Sequence, residues 1–192
     1  MARGNRQLPE VGARAPEFRL PRADGGEIGL AEITAQGPAL LAFFKISCPV
    51  CQLTFPFLQR IHQASEVPAP IGGVCFSLPS PPRREAARGE LSSGGGQSEK
   101  TGPLAVYGIS QNDARDTLDF AERYHTTFPM LLDSEKTGYA VSNAYGITSV
   151  PTIFVIGSDS IVQQVTLGWR KPEMAALGAI RPDDSVPEWK AG

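Results

Sequence analysis

Two cysteines, Cys48 and Cys51, stand with only Pro49 and Val50 between them, in the run FFKISCPVCQLTFP at residues 43–56. Thiols at this spacing can hold half of a metal site, form a structural staple, or act as a reversible redox couple. A zinc site takes four ligands and usually a second closely spaced pair. Only Cys75, His62 and His125 remain to supply it, with no metal-type spacing among them, so no metal is expected. A purely structural disulfide between positions three apart closes a very small loop and contributes little. Two buried thiols serving only as packing atoms would not explain a proline between them at a helix start. The redox couple is the reading that remains.

The flanking pattern assigns roles to the two sulfurs. ALLAFFK (39–45) is a continuous apolar run of strand length, as a central strand buried on both faces requires. From Pro49 to about Ala64, Val50, Leu53, Phe57, Leu58 and Ile61 recur at spacings of three and four and predict one apolar helix face. Pro49 suits the first helical turn, where its missing N–H costs nothing. Pro56 lies inside the helix, and a kink is expected there. Cys48 thus sits at a helix N-terminus, where unpaired amides and the helix dipole stabilise a thiolate and can move a cysteine from about 8.5 to between about 3.5 and 7.5. Cys51 lies one turn further in, about 5–6 Å away at Cβ in a regular helix, close to the roughly 3.5–4.5 Å of a disulfide. The outer sulfur, Cys48, then attacks a partner disulfide, and the inner one, Cys51, resolves the mixed disulfide.

Other elements must position this pair. PEFRL and GEIGL flank Asp24-Gly25-Gly26 and predict an N-terminal β-hairpin within residues 8–36. LAVYGIS (104–110) reads as a buried strand. Ser110 with Asp113 resembles a helix N-cap pair, and Ala114, Leu118 and Ala121 would form the inner face of a helix reaching about His125, beside Tyr124. FPMLLD (128–133) predicts a short strand and EKTGYAVSNAYG (135–146) a short helix ending at Gly146. TIFVIG (152–157) and IVQQVTL (161–167) flank Ser158-Asp159-Ser160 as a hairpin, and PEMAALGAI (172–180) is a last helix with Pro172 at its start. Parallel strands joined by helices and closed by an antiparallel hairpin give an α/β fold, a mixed sheet with helices on both faces.

Residues 66–103 break the periodicity, with six prolines, seven glycines and five serines among 38 residues. Such a stretch buries too little apolar surface to offset its ordering entropy and reads as a flexible insertion, with IGGVCFSL (71–78) its one ordered piece. The expected organisation is a flexible N-terminus (1–8), a single domain (9–180) interrupted at 66–103, and a C-terminal tail (181–192). The 192 residues are 41% hydrophobic and 20% charged with net charge −2, which fits a globular protein and leaves no basic field for nucleic acid. No apolar segment follows the basic N-terminus, and the longest apolar stretch is too short to span a bilayer. A cytoplasmic monomer is expected, or a periplasmic one if a leader has been lost.

These motifs resemble the thioredoxin-fold thiol–disulfide oxidoreductases, and more narrowly the TlpA-like branch of the redoxin/AhpC-TSA superfamily, over roughly residues 9–170 except the insertion. VGARAPEFRLPRADGGEIGL is similar to that superfamily's opening hairpin and FFKISCPVCQLTFPFL to its active-site strand and helix. Pro56 matches the thioredoxin helix proline, and Gly168 a glycine beyond the final strand. YGITSVPTIFVI resembles the segment carrying the cis-proline, which the resemblance places at Pro151, with Val150 offering backbone hydrogen bonds to a partner peptide. The resemblance implies exchange with protein disulfide or dithiol partners and no cofactor beyond the Cys48–Cys51 disulfide.

The chain also departs from that pattern. Ser47 stands where thioredoxins place tryptophan, Ala42 where they carry a buried acid, and Thr54 where TlpA-like proteins often use glutamate. Proton transfer at Cys51 thus lacks its usual carboxylate, leaving water, Thr54 or Lys45 as substitutes, with a solvated lysine the simpler reading of Lys45. Pro49 and Val50 differ from thioredoxin's Gly-Pro, and potentials in these families span about −270 to −120 mV, so the direction of electron flow is open. Two rivals stay open. A peroxiredoxin-type peroxidase shares the opening hairpin, but Lys45 and Leu41 replace its threonine and proline, and Ser149-Val150-Pro151 replaces its arginine. A non-catalytic binding module could use the insertion or Cys75 for docking. His62, His125 and Trp169 read as capping, surface or packing residues.

Overall fold

The computed structural model describes residues 7–66 and 103–192. Cys75, the 71–78 segment and nearly all of the predicted insertion lie outside the described residues.

Strand β1 (Arg19–Pro21) and strand β2 (Glu27–Gly29) pair antiparallel around Gly25 and Gly26, both with positive φ, as the turn chemistry predicts. A short helix α1 (Leu30–Gln36) follows, its first turn closed by Glu32 Oε2 accepting the Gly29 amide at 2.7 Å. Then come strand β3 (Ala39–Phe44), helix α2 (Pro49–Glu66), strand β4 (Ala105–Ser110), helix α3 (Ala114–Arg123) and strand β5 (Met130–Leu132). A 3-10 turn (Glu135–Thr137), helix α4 (Ala140–Ala144), hairpin strands β6 (Thr152–Ile156) and β7 (Val162–Leu167), strand β8 (Trp169–Arg170), helix α5 (Lys171–Ala176) and strand β9 (Trp189–Lys190) complete the chain.

The main sheet has the order β5-β4-β3-β6-β7, with β5, β4 and β3 parallel and β6 and β7 antiparallel to their neighbours. β3 lies at its centre, and all six of its side chains are fully buried. Alternation sends Leu40, Ala42 and Phe44 to one face, with α2, α3 and α5, and Ala39, Leu41 and Phe43 to the other, with α1, α4 and the N-terminal segment. The N-terminal segment crosses that second face. It bonds β7 through Gly12 and Ala13, takes the Tyr145 hydroxyl at Pro16 O (2.9 Å), and reaches β5 through Ala23 N to Met130 O (2.8 Å).

Four expectations are corrected. The cap of α3 is Asp113, whose carboxylate accepts the Asp116 amide at 2.9 Å, while Ser110 Oγ bonds Thr117 Oγ1 at 2.7 Å inside the fold. Leu118 is 44% exposed, and Thr117 and Phe120 form the buried face of α3 instead. The helix expected over 135–146 is split, because Gly138 and Tyr139 adopt positive φ (64° and 53°). Buried Asp133 spans the break, accepting Thr137 Oγ1 on one side and the Val141 and Ser142 amides on the other. Residues 181–192, read as a tail, fold back so that β9 pairs with β8. Trp169 is fully buried against Phe57, and its indole N–H donates to Pro187 O at 2.6 Å. Burying so large an aromatic favours the docked arrangement.

Among the described residues no helix is long and apolar enough to cross a membrane.

Candidate active site

The site forms where β3 ends and α2 begins. Lys45 to Cys48 makes one tight turn, closed by the Cys48 amide donating to Lys45 O at 3.1 Å. The Gln52 amide then donates to Cys48 O at 3.1 Å as the first helical bond, which makes Cys48 the capping residue and Pro49 the first residue inside. At the N-cap a side-chain acceptor usually takes the amide three residues on. Here that acceptor is sulfur, since the Cys51 amide donates to Cys48 Sγ at 3.4 Å. The helix start therefore offers an anionic sulfur a donor in place, beside other amides that the first turn leaves free.

The two thiols differ in environment. Both are free cysteines, Cys48 half-buried and Cys51 fully buried. Burial pushes the Cys51 thiol well above the ordinary cysteine range, with a backbone hydrogen bond at Lys45 acting in the opposite direction. The inner face of α2 is Cys51, Thr54, Phe55, Phe57, Leu58, Gln59 and Ile61. Val50 and Leu53, expected on that face, are only half-buried. Phe55 packs against Phe44, Phe120 and Phe128 and fixes the helix on the sheet. The helix runs continuously through Pro56, which is exposed.

The other side of the site comes from a hundred residues further along. The Val150–Pro151 peptide bond is cis, as the resemblance implies. Val150 O faces the outer sulfur, and the Cys48 thiol donates to it at 3.2 Å. The Gly168 amide donates to Pro151 O at 2.8 Å, and the Thr152 hydroxyl to Ser149 O at 2.8 Å, so the turn is tied to β7 and to itself. Among the described residues the Val150 amide has no hydrogen-bond acceptor.

Of the proposed proton-transfer groups, Thr54 is fully buried but donates its hydroxyl proton to Val50 O at 2.7 Å, within the helix. The Lys45 side chain is exposed, and its backbone rather than its ammonium engages the site. Ala42 is buried at 0% exposure where a carboxylate would sit. Two supporting residues have no signal in the sequence. Asn112 Oδ1 accepts the Ile46 amide at 3.1 Å, and Gln52 Nε2 donates to Ile46 O at 2.9 Å, so both polar groups of Ile46 are held. Asn112 is 66 positions from Ile46, and only the pairing of β3 with β4 brings them together.

His62 pairs with Glu66 at 3.3 Å, and exposed His125 ends α3 with φ 52°. Among the described residues no three His, Cys, Asp or Glu side chains converge as metal ligands. A cavity of about 190 Å3 is lined by Arg22, Leu118, Phe128 and Met130 among others, and by neither cysteine.

Known proteins resemble this chain in sequence and in fold. The chain is 23% identical over 182 residues to the thiol-disulfide oxidoreductase ResA of Halalkalibacterium halodurans, covering 93% of this chain and 82% of that protein. It is 40% identical over 60 residues to the methylamine utilization protein MauD of Paracoccus denitrificans, 31% of this chain and 30% of that one. Its fold is similar to the thioredoxin domain of a thiol-disulfide oxidoreductase from Bacteroides vulgatus, with a TM-score of 0.59 at 16% identity, covering 83% of this chain and 90% of that chain. The family model for Redoxin matches residues 10–179, most of the chain including both halves of the site, and with the thioredoxin-like sheet it makes the protein a thioredoxin-like member of the Redoxin family.

Proposed function

We propose that Cys48 and Cys51 are the redox couple through which this thiol–disulfide oxidoreductase exchanges electrons with disulfides of partner proteins. The carrying observation is the asymmetry of the pair: a half-buried outer sulfur facing Val150 O and the Cys51 amide, and a fully buried inner sulfur behind it. ResA, similar over nearly the whole chain, bears the same activity in its name.

The Cys48 thiolate attacks one sulfur of a partner disulfide, forming a Cys48–partner bond and releasing the other partner sulfur as a thiolate that takes up a proton. Cys51 gives up its proton and attacks Cys48 Sγ. The Cys48–Cys51 disulfide forms, and the second partner thiol leaves reduced. Two electrons pass from the protein to the partner, and an external dithiol returns them; run backward, the same steps oxidise a dithiol. The Val150 amide is free to bond an extended partner segment beside Cys48. Val150 and Pro151 thus bind substrate, while Pro49, Val50 and Pro56 shape the helix and Asn112 and Gln52 hold the turn. A protein partner fits the site, because the Val150 backbone beside Cys48 can bond an extended polypeptide segment.

Replacing Cys51 with Ser tests the assignment. The expected result is that Cys48 accumulates mixed disulfides with cell proteins, whereas Cys48→Ser traps few. Wild-type protein that fails to reduce insulin, together with variants that trap nothing, would end the reading. Hydrogen peroxide consumption with dithiothreitol separates out the peroxidase alternative, and no catalysed consumption is expected.

A further inference from the structure

The segment after Pro187 passes directly over the place where a partner would dock. β9 pairs with β8 in the register Trp169–Lys190 and Arg170–Trp189, and the Lys171 amide donates to Glu188 O at 3.0 Å. Beyond that short ladder, Ala191 and Gly192 continue across Gly168 to the cis-proline turn. The approach is close enough to exclude side chains. A Cβ on Gly168 would strike Lys190 O and lie 2.9 Å from Gly192 N, and one on Gly192 would lie 2.6 Å from Val150 O and 2.9 Å from Val150 C. Val150 O is the same atom that accepts the Cys48 thiol.

We infer that residues 189–192 are a strap lying in the partner's place, and that a protein partner reaches Cys48 by displacing them. The inference rests on the reading of Val150 as partner-binding backbone. Three features fit a displaceable segment better than a fixed wall. All four residues are exposed, with Trp189 at 57%. The pairing that holds them is two residues long. Among the described residues no hydrogen bond ties Ala191 or Gly192 to the Val150–Pro151 turn. Segments with so few contacts open at low free energy. The strap also indicates what replaces it: an extended polypeptide presenting backbone and small side chains where it crosses Gly168 and Val150, as Ala191 and Gly192 do. A small disulfide needs only the exposed part of Cys48 and can react with the strap in place.

The test compares the full chain with a variant lacking residues 189–192, each in its reduced form, against insulin and against the small disulfide dithiobis(2-nitrobenzoate). If the docking surface is open only a minor fraction of the time, removing the strap raises the insulin rate about threefold or more and changes the small-disulfide rate less than about twofold. An insulin rate that is unchanged or lowered, with the small-disulfide rate preserved, overturns the strap. Insulin left intact by both proteins overturns the oxidoreductase reading beneath it.

A measurement on the full-length chain guards against a truncation that harms folding. Cys51→Ser protein is joined through Cys48 to a cysteine-containing peptide, and amide hydrogen exchange is followed over residues 188–192. Displacement speeds exchange there about fivefold or more relative to the free protein, whereas unchanged or slower exchange overturns the proposal.

Discussion

Residues 44–52 and the group formed by Val150, Pro151, Gly168 and 189–192 meet at one sulfur, yet they are assembled in opposite ways. The first is a single stretch of chain. A buried strand ends, a turn closes on Lys45 O, and an 18-residue helix starts on Cys48, mostly through hydrogen bonds between neighbours in sequence, with Gln111 and Asn112 adding bonds from β4's end and Val150 facing the sulfur. The second is a convergence of three distant segments, joined by the Gly168–Pro151 hydrogen bond, the short β8–β9 ladder and the burial of Trp169. The proposed nucleophile is thus carried on the part of the molecule with more supports, and the proposed partner surface on the part with fewer. That division suits the proposed reaction, in which the sulfur stays in place while partners come and go.

The comparison can be broken most strongly at the core beneath the helix. Phe55→Ala empties a site ringed by Phe44, Phe120 and Phe128, and a loss of about 3–5 kcal/mol is expected in a urea titration. A loss below about 1 kcal/mol would mean that α2 is not held by this cluster.

Next in size is the pH response of the inner thiol. Burial holds Cys51 above the ordinary cysteine range, so near neutrality it is protonated and its thiolate fraction grows about tenfold per pH unit. Decay of a Cys48–partner mixed disulfide should speed accordingly between about pH 7 and 9, followed by stopped-flow quenching. A plateau already at about 8.5 would contradict the burial argument. The same shift has a stability consequence. Because the fold favours the protonated thiol, its contribution is fully present below the ordinary value of 9.0 and is lost as pH rises above it. Buried Tyr145, also raised, acts in the same direction.

The convergent half is probed by Trp169→Phe, which keeps a ring against Phe57 but removes the donor to Pro187 O. A loss of about 1–3 kcal/mol is expected, with faster amide exchange over 186–190 and little change near Cys48. Equal loosening on both sides would show that the two halves are not independent. The smallest effect is expected at Asn112→Ala. It leaves the Ile46 amide without its acceptor, costs about 1 kcal/mol, and lowers insulin reduction a few-fold while exchange at Ile46 rises.

What could be read in advance follows the same division. The close cysteine pair, the all-buried strand before it, the helix from Pro49 and both hairpins are visible because each depends on residues within one or two turns or strand lengths of one another. The misreadings occurred where that locality failed. Leu118 fits the helical period but faces outward, because Thr117 is drawn in by Ser110. Gly138 and Tyr139 break a helix whose pattern looks continuous, because Asp133 takes the amides of its second half. Asn112 and Gln52 look like ordinary surface polar residues until Ile46 is set between them.

The sequence by itself determined the setting of the two thiols, three apart where a buried strand gives way to a helix, because spacing along a helix sets which atoms can bond. The tertiary structure alone decided the depth of each sulfur, the backbone atom that faces the outer one, and the return of residues 181–192 over the cis-proline turn. Those depend on side-chain burial and on contacts between segments distant in sequence, in which apolar area rather than local pattern selects the partner.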